Sequence, residues 1–494
     1  MGAHLPALQI VVPLVAAPVC LLLRRGWLAW ALALVVSWAA LIISALLLHE
    51  VLRSGPLSYE LGGWAAPWGI EYRVDVINAF VLLIVAAVGA VVLPYARHSV
   101  AHEIPESQHG AFYTALLLCL SGLLGVAITG DAFNLFVFLE ISSLSSYVLI
   151  GLGHDRRALT ASFQYLIMGT IGATFIVIGI GLLYMVTGTL NIADLATRVP
   201  DLAGNRTVLA AFAFLTVGAT LKLALFPLHF WLPNAYAYAP SVVTGFLAAT
   251  ATKVSVYVLL RFFFTVFGPQ YSFEVLTLED VLMPMSVVAV LVCSTVAVFQ
   301  TNVKRMLAYS SIAQIGYMIL GVSFVSVNGL TAGIVHLFNH AMMKGGLFLL
   351  LGCVFLRVGS VRIEALAGIG RRMPLTMLGF ALGGLSLIGV PLTAGFISKW
   401  YLVQAALEQG SWWLAVIVLI GSLLAVVYVW RVVEVAYMQP APEIADGLQA
   451  HEAPLSMLIP AWILIGASIY FGIHTSLTVG VAREAAQFLL GVAP

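Results

Sequence analysis

The chain has 494 residues, 62% of them hydrophobic and only 9% charged, with 22 Lys plus Arg against 21 Asp plus Glu. Soluble globular domains carry about 25% charged residues, so a water-soluble enzyme and a disordered scaffold are excluded. The near-neutral balance gives no electrostatic attraction to nucleic acid, and the composition is that of a polytopic membrane protein.

Only helices and closed barrels satisfy their backbone groups in lipid. The apolar runs here are too long and continuous for barrel strands. The expected fold is all-α, with fourteen spans at 7–23, 27–52, 74–96, 110–128, 132–150, 160–186, 208–238, 241–267, 280–299, 304–325, 331–356, 375–408, 411–437 and 455–478. No Lys or Arg precedes the first run, which leads straight into the second, so it reads as a span and not as a cleavable signal. Residues 439–454, with Pro440, Pro442, Glu443, Asp446 and Glu452, read as a polar surface loop. The tail 479–491, with Arg483, Glu484 and Gln487, reads as an amphipathic segment lying on the membrane interface.

Basic residues assign the sides. One set of alternate loops carries Arg24, Arg25, Arg97, Arg156, Arg157, Lys304, Arg305, Arg357, Arg362, Arg371, Arg372 and Arg431, and the other only Arg53, Arg73, Arg198, Arg206 and Arg483. Twelve against five makes the first set cytoplasmic, with both termini on the outer, periplasmic side of a cell membrane. The four cysteines, Cys20, Cys119, Cys293 and Cys353, are far apart and form no CxxC. No GxGxxG helix start, haem-attachment motif or phosphate-binding loop occurs, so no cofactor is expected.

Two spans are overlong and interrupted by proline, which removes a helical hydrogen bond and clashes with the preceding turn. The first contains Phe226-Pro227-Leu228-His229-Phe230-Trp231-Leu232-Pro233 and the second Gly389-Val390-Pro391-Leu392-Thr393-Ala394-Gly395. With 110–267 (spans four to eight) as one unit and 280–437 (spans nine to thirteen) as another, Pro227 is 117 residues into the first and Pro391 is 111 into the second. Each lies in the fourth helix of its unit. Five is an odd number of crossings, so the two units are expected to be inverted repeats, preceded by a three-helix segment 1–109 and followed by 455–494. Broken helices at matching places in two halves point to an ion path.

Ionisable residues within spans are the candidate functional groups, because a charge at the bilayer centre costs at least ~2.5–3.5 kcal/mol and persists only facing protein or water. Glu140 lies near the middle of its span, Lys222 one turn before the first break, Lys253 and Lys344 at span centres, and Lys399 two turns beyond Pro391. His336, His340 and Lys344 are spaced i, i+4, i+8 along one helical face. Histidine exchanges protons near neutral pH. Burial disfavours a charged lysine and a neighbouring carboxylate favours it, so Glu140 and one of the lysines read as a switchable pair. Paired, the lysine keeps its proton; separated, it passes the proton to the next site. The structural alternatives are a pair that only glues helices, snorkelling lysines and packing histidines. His229, beside Pro227, reads equally as a relay site or a helix-end hydrogen bonder. Arg261 reads as an interface anchor, and Asp131 and Glu434 as loop or interface residues. No cluster of carboxylates marks a cation site, and Glu140 alone is a poor one.

Several stretches carry a family resemblance: Phe138-Leu-Glu140-Ile-Ser-Ser-Leu-Ser-Ser-Tyr147, Lys222 with Phe226-Pro-Leu-His-Phe-Trp-Leu-Pro-Asn-Ala-Tyr236, Ala239-Pro-Ser241, Lys304-Arg-Met-Leu-Ala-Tyr-Ser-Ser311, His336-Leu-Phe-Asn-His340-Ala-Met-Met-Lys344 and Gly389-Val-Pro-Leu-Thr-Ala-Gly-Phe-Ile-Ser-Lys399. They resemble the antiporter-like subunits shared by Mrp-type cation/proton antiporters, the proton-pumping arm of respiratory complex I and membrane-bound hydrogenases. The resemblance covers essentially the whole chain and is strongest over 110–400. Within the superfamily the chain looks most like D-type Mrp subunits. Its length does not fit the longer A- and L-type subunits, and Lys399 departs from the glutamate of the complex I M-type; the N-type remains open.

The resemblance implies that Glu140 and Lys222 are the family's ion pair, Lys253 and the His336/His340 face its central relay, and Lys399 its outlet lysine. It implies partners as well: a larger A-type homologue and small hydrophobic subunits, with H⁺ and Na⁺ or K⁺ as the ions. The expected function is therefore an ion-translocating, proton-conducting subunit of a multisubunit monovalent cation/proton antiporter. The alternatives are the proton-pumping membrane subunit of a complex I-like or hydrogenase-linked redox complex, and the membrane subunit of an inorganic-carbon uptake system. A stand-alone carrier for organic solutes fits less well, because Pro, Gly, Phe and Leu dominate the breaks.

Overall fold

The computed structural model describes residues 4–440 and 451–492. Helices α1 (Leu5–Leu22) and α2 (Gly26–Ser54) lead into a small antiparallel hairpin, β1 (Leu57–Glu60) and β2 (Glu71–Val74), with Leu57 opposite Val74. The hairpin departs from the all-α expectation. Its strands are four residues long, too short for an alternation of apolar and polar residues to stand out from a loop. Asp75 then caps α3 (Val76–Glu103) in a reciprocal capping box with Asn78, satisfying two of the helix's otherwise orphaned donors.

Helices α4 (His109–Ile128), α5 (Ala132–Gly151), α6 (Arg157–Thr187) and the short α7 (Ile192–Arg198) follow. Next come α8 (Arg206–Lys222), α9 (Trp231–Tyr238) and α10 (Ser241–Leu260), which runs on through a wider turn to Val266. Helices α11 (Glu279–Val288) and α12 (Ser294–Val298) form one span joined by such a turn, and α13 (Val303–Ser323) and α14 (Val327–Val358) follow. The chain ends with α15 (Pro374–Ile388), α16 (Ala394–Glu408), α17 (Trp412–Met438), α18 (Leu455–Ile473) and α19 (Ser476–Leu490).

Among the described residues, twelve helices are long and apolar enough to cross a membrane. Of the fourteen expected spans, 208–238 and 375–408 are not single helices: they are the pairs α8–α9 and α15–α16, each interrupted by a non-helical stretch.

Helix α14 forms the axis of the molecule. Every residue from Gly329 to Val354 is buried, and α10, α13, α16, α18 and α19 all pack against it. Helices α1, α2, α6 and α17 lie outside, with exposed Leu, Val, Ile and Trp along their lengths, as spans facing lipid or another subunit require. Close packing between α6 and α8 depends on small residues. A Cβ on Gly218 would sit 2.8 Å from the Gly172 carbonyl oxygen and 3.0 Å from the Ile176 nitrogen.

Two terminal expectations change. The tail helix α19 buries Val481, Ala482, Ala485, Ala486 and Leu489 and packs on α14 and α3, so its apolar face is spent on protein and not on the membrane interface. In the polar stretch 439–454, Pro442, Glu443 and Asp446 lie outside the described residues. Glu452, however, accepts hydrogen bonds from the Leu375 and Thr376 amides and the Thr376 hydroxyl. It caps α15, where a carboxylate also meets the positive end of the helix dipole.

Candidate functional site

The first break follows from what the chain does after Lys222, the last residue of α8. Pro227 cannot extend the helix, Pro233 sits in the first turn of α9 where its missing donor is tolerated, and Ala224 adopts a left-handed backbone with φ of 60°, a conformation uncommon for residues other than glycine. The Leu221 carbonyl, which accepts from the Ala224 amide, also accepts from the Trp231 indole at 3.2 Å. Lys222 is thereby presented to α5, where its ammonium donates to the Ser143 hydroxyl at 2.8 Å and to Glu140 Oε1 at 3.4 Å. The lysine side chain is 4% exposed and that of Glu140 25%. Of the lysines that sequence leaves open as the partner of Glu140, Lys222 is the one in contact.

The second break uses another solution. Gly389 ends α15 at φ of 90°, and Leu392 is left-handed at φ of 71°. The last carbonyls of α15 then lack helical partners. Lys399, on α16, reaches back to them, donating to Leu387 O at 3.1 Å, Ile388 O at 2.9 Å and the Ser422 hydroxyl at 2.9 Å. Its ammonium also lies 4.8 Å from the Tyr317 ring centroid, a favourable cation–π placement. Gly389 is doubly constrained, because a Cβ there would meet the Lys399 stem at 3.0 Å.

Between the breaks lies a buried set. His336 shares a 2.7 Å hydrogen bond with Ser398 through Nδ1, and its ring stacks on that of His340 with centroids 6.1 Å apart. The i, i+4 spacing thus does align these side chains. His336 stands in the electrostatic field of Lys399, Lys253 and Lys344, and His340 in that of Lys253 and Lys344. Lys253 donates to the Ala248 carbonyl and, at 3.3 Å, to Thr252 Oγ1. Lys344 donates to Leu307 O at 2.9 Å and to the Ser310 hydroxyl. His336 Nε2 and both ring nitrogens of His340 are buried without hydrogen-bond partners.

His229 is not brought into this set. Its ring is stacked between Phe226 and Phe230, near Tyr309, and none of the named lysines bonds to it. Arg261 is not an interface anchor. It is 6% exposed and forms a 2.9 Å ion pair with the 1% exposed Asp75, with a further bond to the Tyr257 hydroxyl. Asp131 caps α5 by accepting from the Asn134 amide, and Glu434 lies on the surface. Lys304, counted among the inner loops, is buried. It donates to Ser241 Oγ at 3.1 Å, while Glu103 accepts from the Ser241 amide and hydroxyl.

Sequence reasoning misses the partner residues. Ser143 lies within the quoted motif around Glu140, so the motif itself could have found it. Ser398 adjoins Lys399. Ser422, Tyr317 and Asp75 give no local signal. No group of three or more metal-ligating His, Cys, Asp or Glu side chains occurs among the described residues.

The family described as NADH:quinone oxidoreductase/Mrp antiporter, TM, matches residues 129–425. The chain belongs to this family. NADH-quinone oxidoreductase subunit N of Desulforudis audaxviator (strain MP104C) is 42% identical over 484 residues, covering 94% of each chain. The D-type subunit of the Na(+)/H(+) antiporter of Bacillus subtilis (strain 168) is 28% identical over 486 residues, 98% of this chain and 96% of that one. A chain in the structure of the Mrp complex from Dietzia sp. DQ12-45-1b superposes with a TM-score of 0.89 at 25% identity, covering 99% of this chain and 97% of its own. The resemblance read from the sequence is borne out. As a member of this family the chain is a multi-pass membrane subunit of the Mrp-antiporter or complex I-like kind.

Proposed function

We propose that this chain is the ion-translocating, proton-conducting subunit of a multisubunit monovalent cation/proton antiporter in the cell membrane. The observation that carries the reading is the set of proton-bearing groups, buried except for the partly exposed Glu140, with a lysine at each of the two helix breaks. It runs from Glu140–Lys222 through Lys253, Lys344, His340 and His336 to Lys399. Glu140 holds the Lys222 ammonium. When the pair opens, Lys222 gives up its proton toward Lys253; the unpartnered imidazole nitrogens accept it in turn, and Lys399 delivers it at the second break. In this reading residues 110–267 and 280–437 are inverted repeats that each contribute one break. Both termini face outward. The membrane potential supplies ~2.3 kcal/mol per charge per 100 mV. His229, off the series, is at most an accessory site on the approach to the first break.

The partly exposed Glu140 supports a partner subunit. It lies in a stripe of α5 with the exposed Phe133, Val137, Leu144 and Val148. A carboxylate in that stripe facing hydrocarbon is costly, so a neighbouring subunit covers it in the proposed assembly.

The 42% identity to a protein named NADH-quinone oxidoreductase subunit N favours a second reading, in which the same proton path serves a redox-driven pump whose redox step belongs to other chains. Partner identity separates the two. Native membranes would be solubilised gently, the chain captured by a tag, and the co-purifying proteins identified. A larger homologue and small hydrophobic subunits support the antiporter. Iron–sulfur, flavin or nickel subunits overturn it in favour of the redox pump.

A further inference from the structure

The proposed series has a gap between Lys222 and Lys253. They lie on different helices, and no hydrogen bond joins them directly. What stands between is a set of hydroxyls. Lys222 donates to Ser143 Oγ at 2.8 Å. The Tyr147 hydroxyl, one helical turn further along α5, stands beside Ser143 and is buried without a hydrogen-bond partner. Tyr165, on α6, meets the Tyr147 ring edge-on with centroids 4.7 Å apart and lies in electrostatic range of Tyr147, Tyr236 and Glu140. Tyr236, on α9, is 2% exposed; its hydroxyl donates to Leu247 O at 3.3 Å and is within reach of Thr252. Thr252 Oγ1 accepts from Lys253 Nζ at 3.3 Å.

Three buried tyrosines thus lie between the two lysines. A buried tyrosine hydroxyl ordinarily finds a partner, and an orphaned one needs an explanation. Tyr165 is also held in place, its ring stacked on Trp231 at 4.0 Å, the residue that opens α9 after the break. Trp231 and Tyr236 both belong to α9, so the second half of the broken helix carries both the ring that holds Tyr165 and the next hydroxyl.

We infer that Ser143, Tyr147, Tyr165, Tyr236 and Thr252 form a hydroxyl bridge that carries the proton from Lys222 to Lys253. The inference rests on the proposed function and supplies its missing link. Lys222 gives a proton to Ser143, each hydroxyl accepts one proton and passes one on, and Thr252 protonates the neutral Lys253 amine. The net change is a neutral Lys222 and a charged Lys253, with every hydroxyl restored. Tyr147, Tyr165 and Tyr236 are not hydrogen-bonded to one another in this arrangement, so conduction requires the side chains to swing their hydroxyls into hydrogen-bonding distance. The bridge is therefore open only for part of the cycle.

The test removes hydroxyls and keeps rings. Tyr165→Phe, Tyr236→Phe and the double variant would be assayed in the intact complex in inverted membrane vesicles. Proton movement would be driven by the ion or electron donor that the co-purified partners specify and read with a pH-sensitive dye. Tyr95→Phe is the control, since Tyr95 is equally buried but bonds to Leu349 O away from the series. Each single variant should lose at least tenfold in rate, the double variant no more than the worse single. The residual flux should show a larger solvent deuterium isotope effect than wild type, which a folding defect would not produce. Wild-type rates in both tyrosine variants, with Lys222→Ala and Lys253→Ala still inactive, would overturn the bridge alone. Wild-type rates in the lysine variants would overturn the proposed function beneath it.

Discussion

At the scale of single residues, two ion pairs have opposite characters. Glu140–Lys222 is loosely made, at 3.4 Å with the carboxylate partly exposed, and Ser143 offers the ammonium a competing acceptor. A contact of that kind can open and close. Glu140→Ala and Lys222→Ala are each expected to cut cation-driven or donor-driven proton movement more than tenfold, with the protein still present in the membrane. Full activity at wild-type expression would sink the switching role. Asp75–Arg261, by contrast, is enclosed at 2.9 Å and braced by Tyr257 and by the capping box of α3. Leaving one buried partner alone costs ~3–5 kcal/mol, whereas removing both can be nearly neutral. Arg261→Met should therefore lower the melting temperature of the detergent-solubilised protein markedly, and a second change, Asp75→Asn, which removes the stranded charge but keeps an N-cap for α3, should restore much of it. A melting temperature unchanged by the single substitution would show that the pair does not brace α3 against α10.

At the scale of elements, the two broken helices reach similar ends by different means. In the first, a lysine is the final residue of a half-helix and its ammonium leaves toward α5. In the second, the lysine belongs to the following half-helix and folds back onto the carbonyls the break has freed. The second arrangement depends on Gly389, which supplies both the left-handed turn and the room for the Lys399 stem. Gly389→Val is expected to displace Lys399 and abolish proton movement while leaving α15 inserted; unimpaired flux would mean that the lysine finds its place without the break. The breaks themselves are legible in the sequence, because proline within an apolar run is a one-dimensional signal. So is the alignment of His336 with His340, because helical periodicity fixes it. Ser422 and Tyr317 around Lys399 are not legible, since they come from α17 and α13 and no local rule says which faces of distant helices meet. The misreading of Arg261 has the same root: its position near a span end suggests the interface, but its partner lies 186 positions away at the start of α3.

At the scale of the whole molecule, composition is enough to give the membrane class, and hydrophobic run length gives most of the helices. The short hairpin and the docking of α19 are not legible, because four-residue strands carry too little pattern and an amphipathic helix looks the same whether its apolar face meets lipid or protein. Sidedness can be tested directly. The four native cysteines are buried, so engineered ones report cleanly. Ser54→Cys, at the end of α2, should react with a membrane-impermeant thiol reagent applied to the outside of intact cells. His154→Cys, between α5 and α6, should react only in inverted vesicles. The reverse pattern would invert the assignment made from the basic residues.

The enclosure of α14 bears on how the chain is made. Span by span, a nascent helix is weighed against lipid as it leaves the insertion machinery, and a lysine near its centre counts heavily against it. This helix carries Lys344 together with His336 and His340, yet in the finished molecule it touches protein along nearly its whole length. Only part of the environment that makes it stable exists when it is synthesised, since α10 and α13 precede it but the helices that complete its enclosure do not. Helices α16 and α18, which close around it, are translated later. A ribosome-arrested chain in which α14 but not α16 has cleared the ribosome should therefore remain held by the insertion machinery, and one in which α18 has also cleared it should be released as a packed unit.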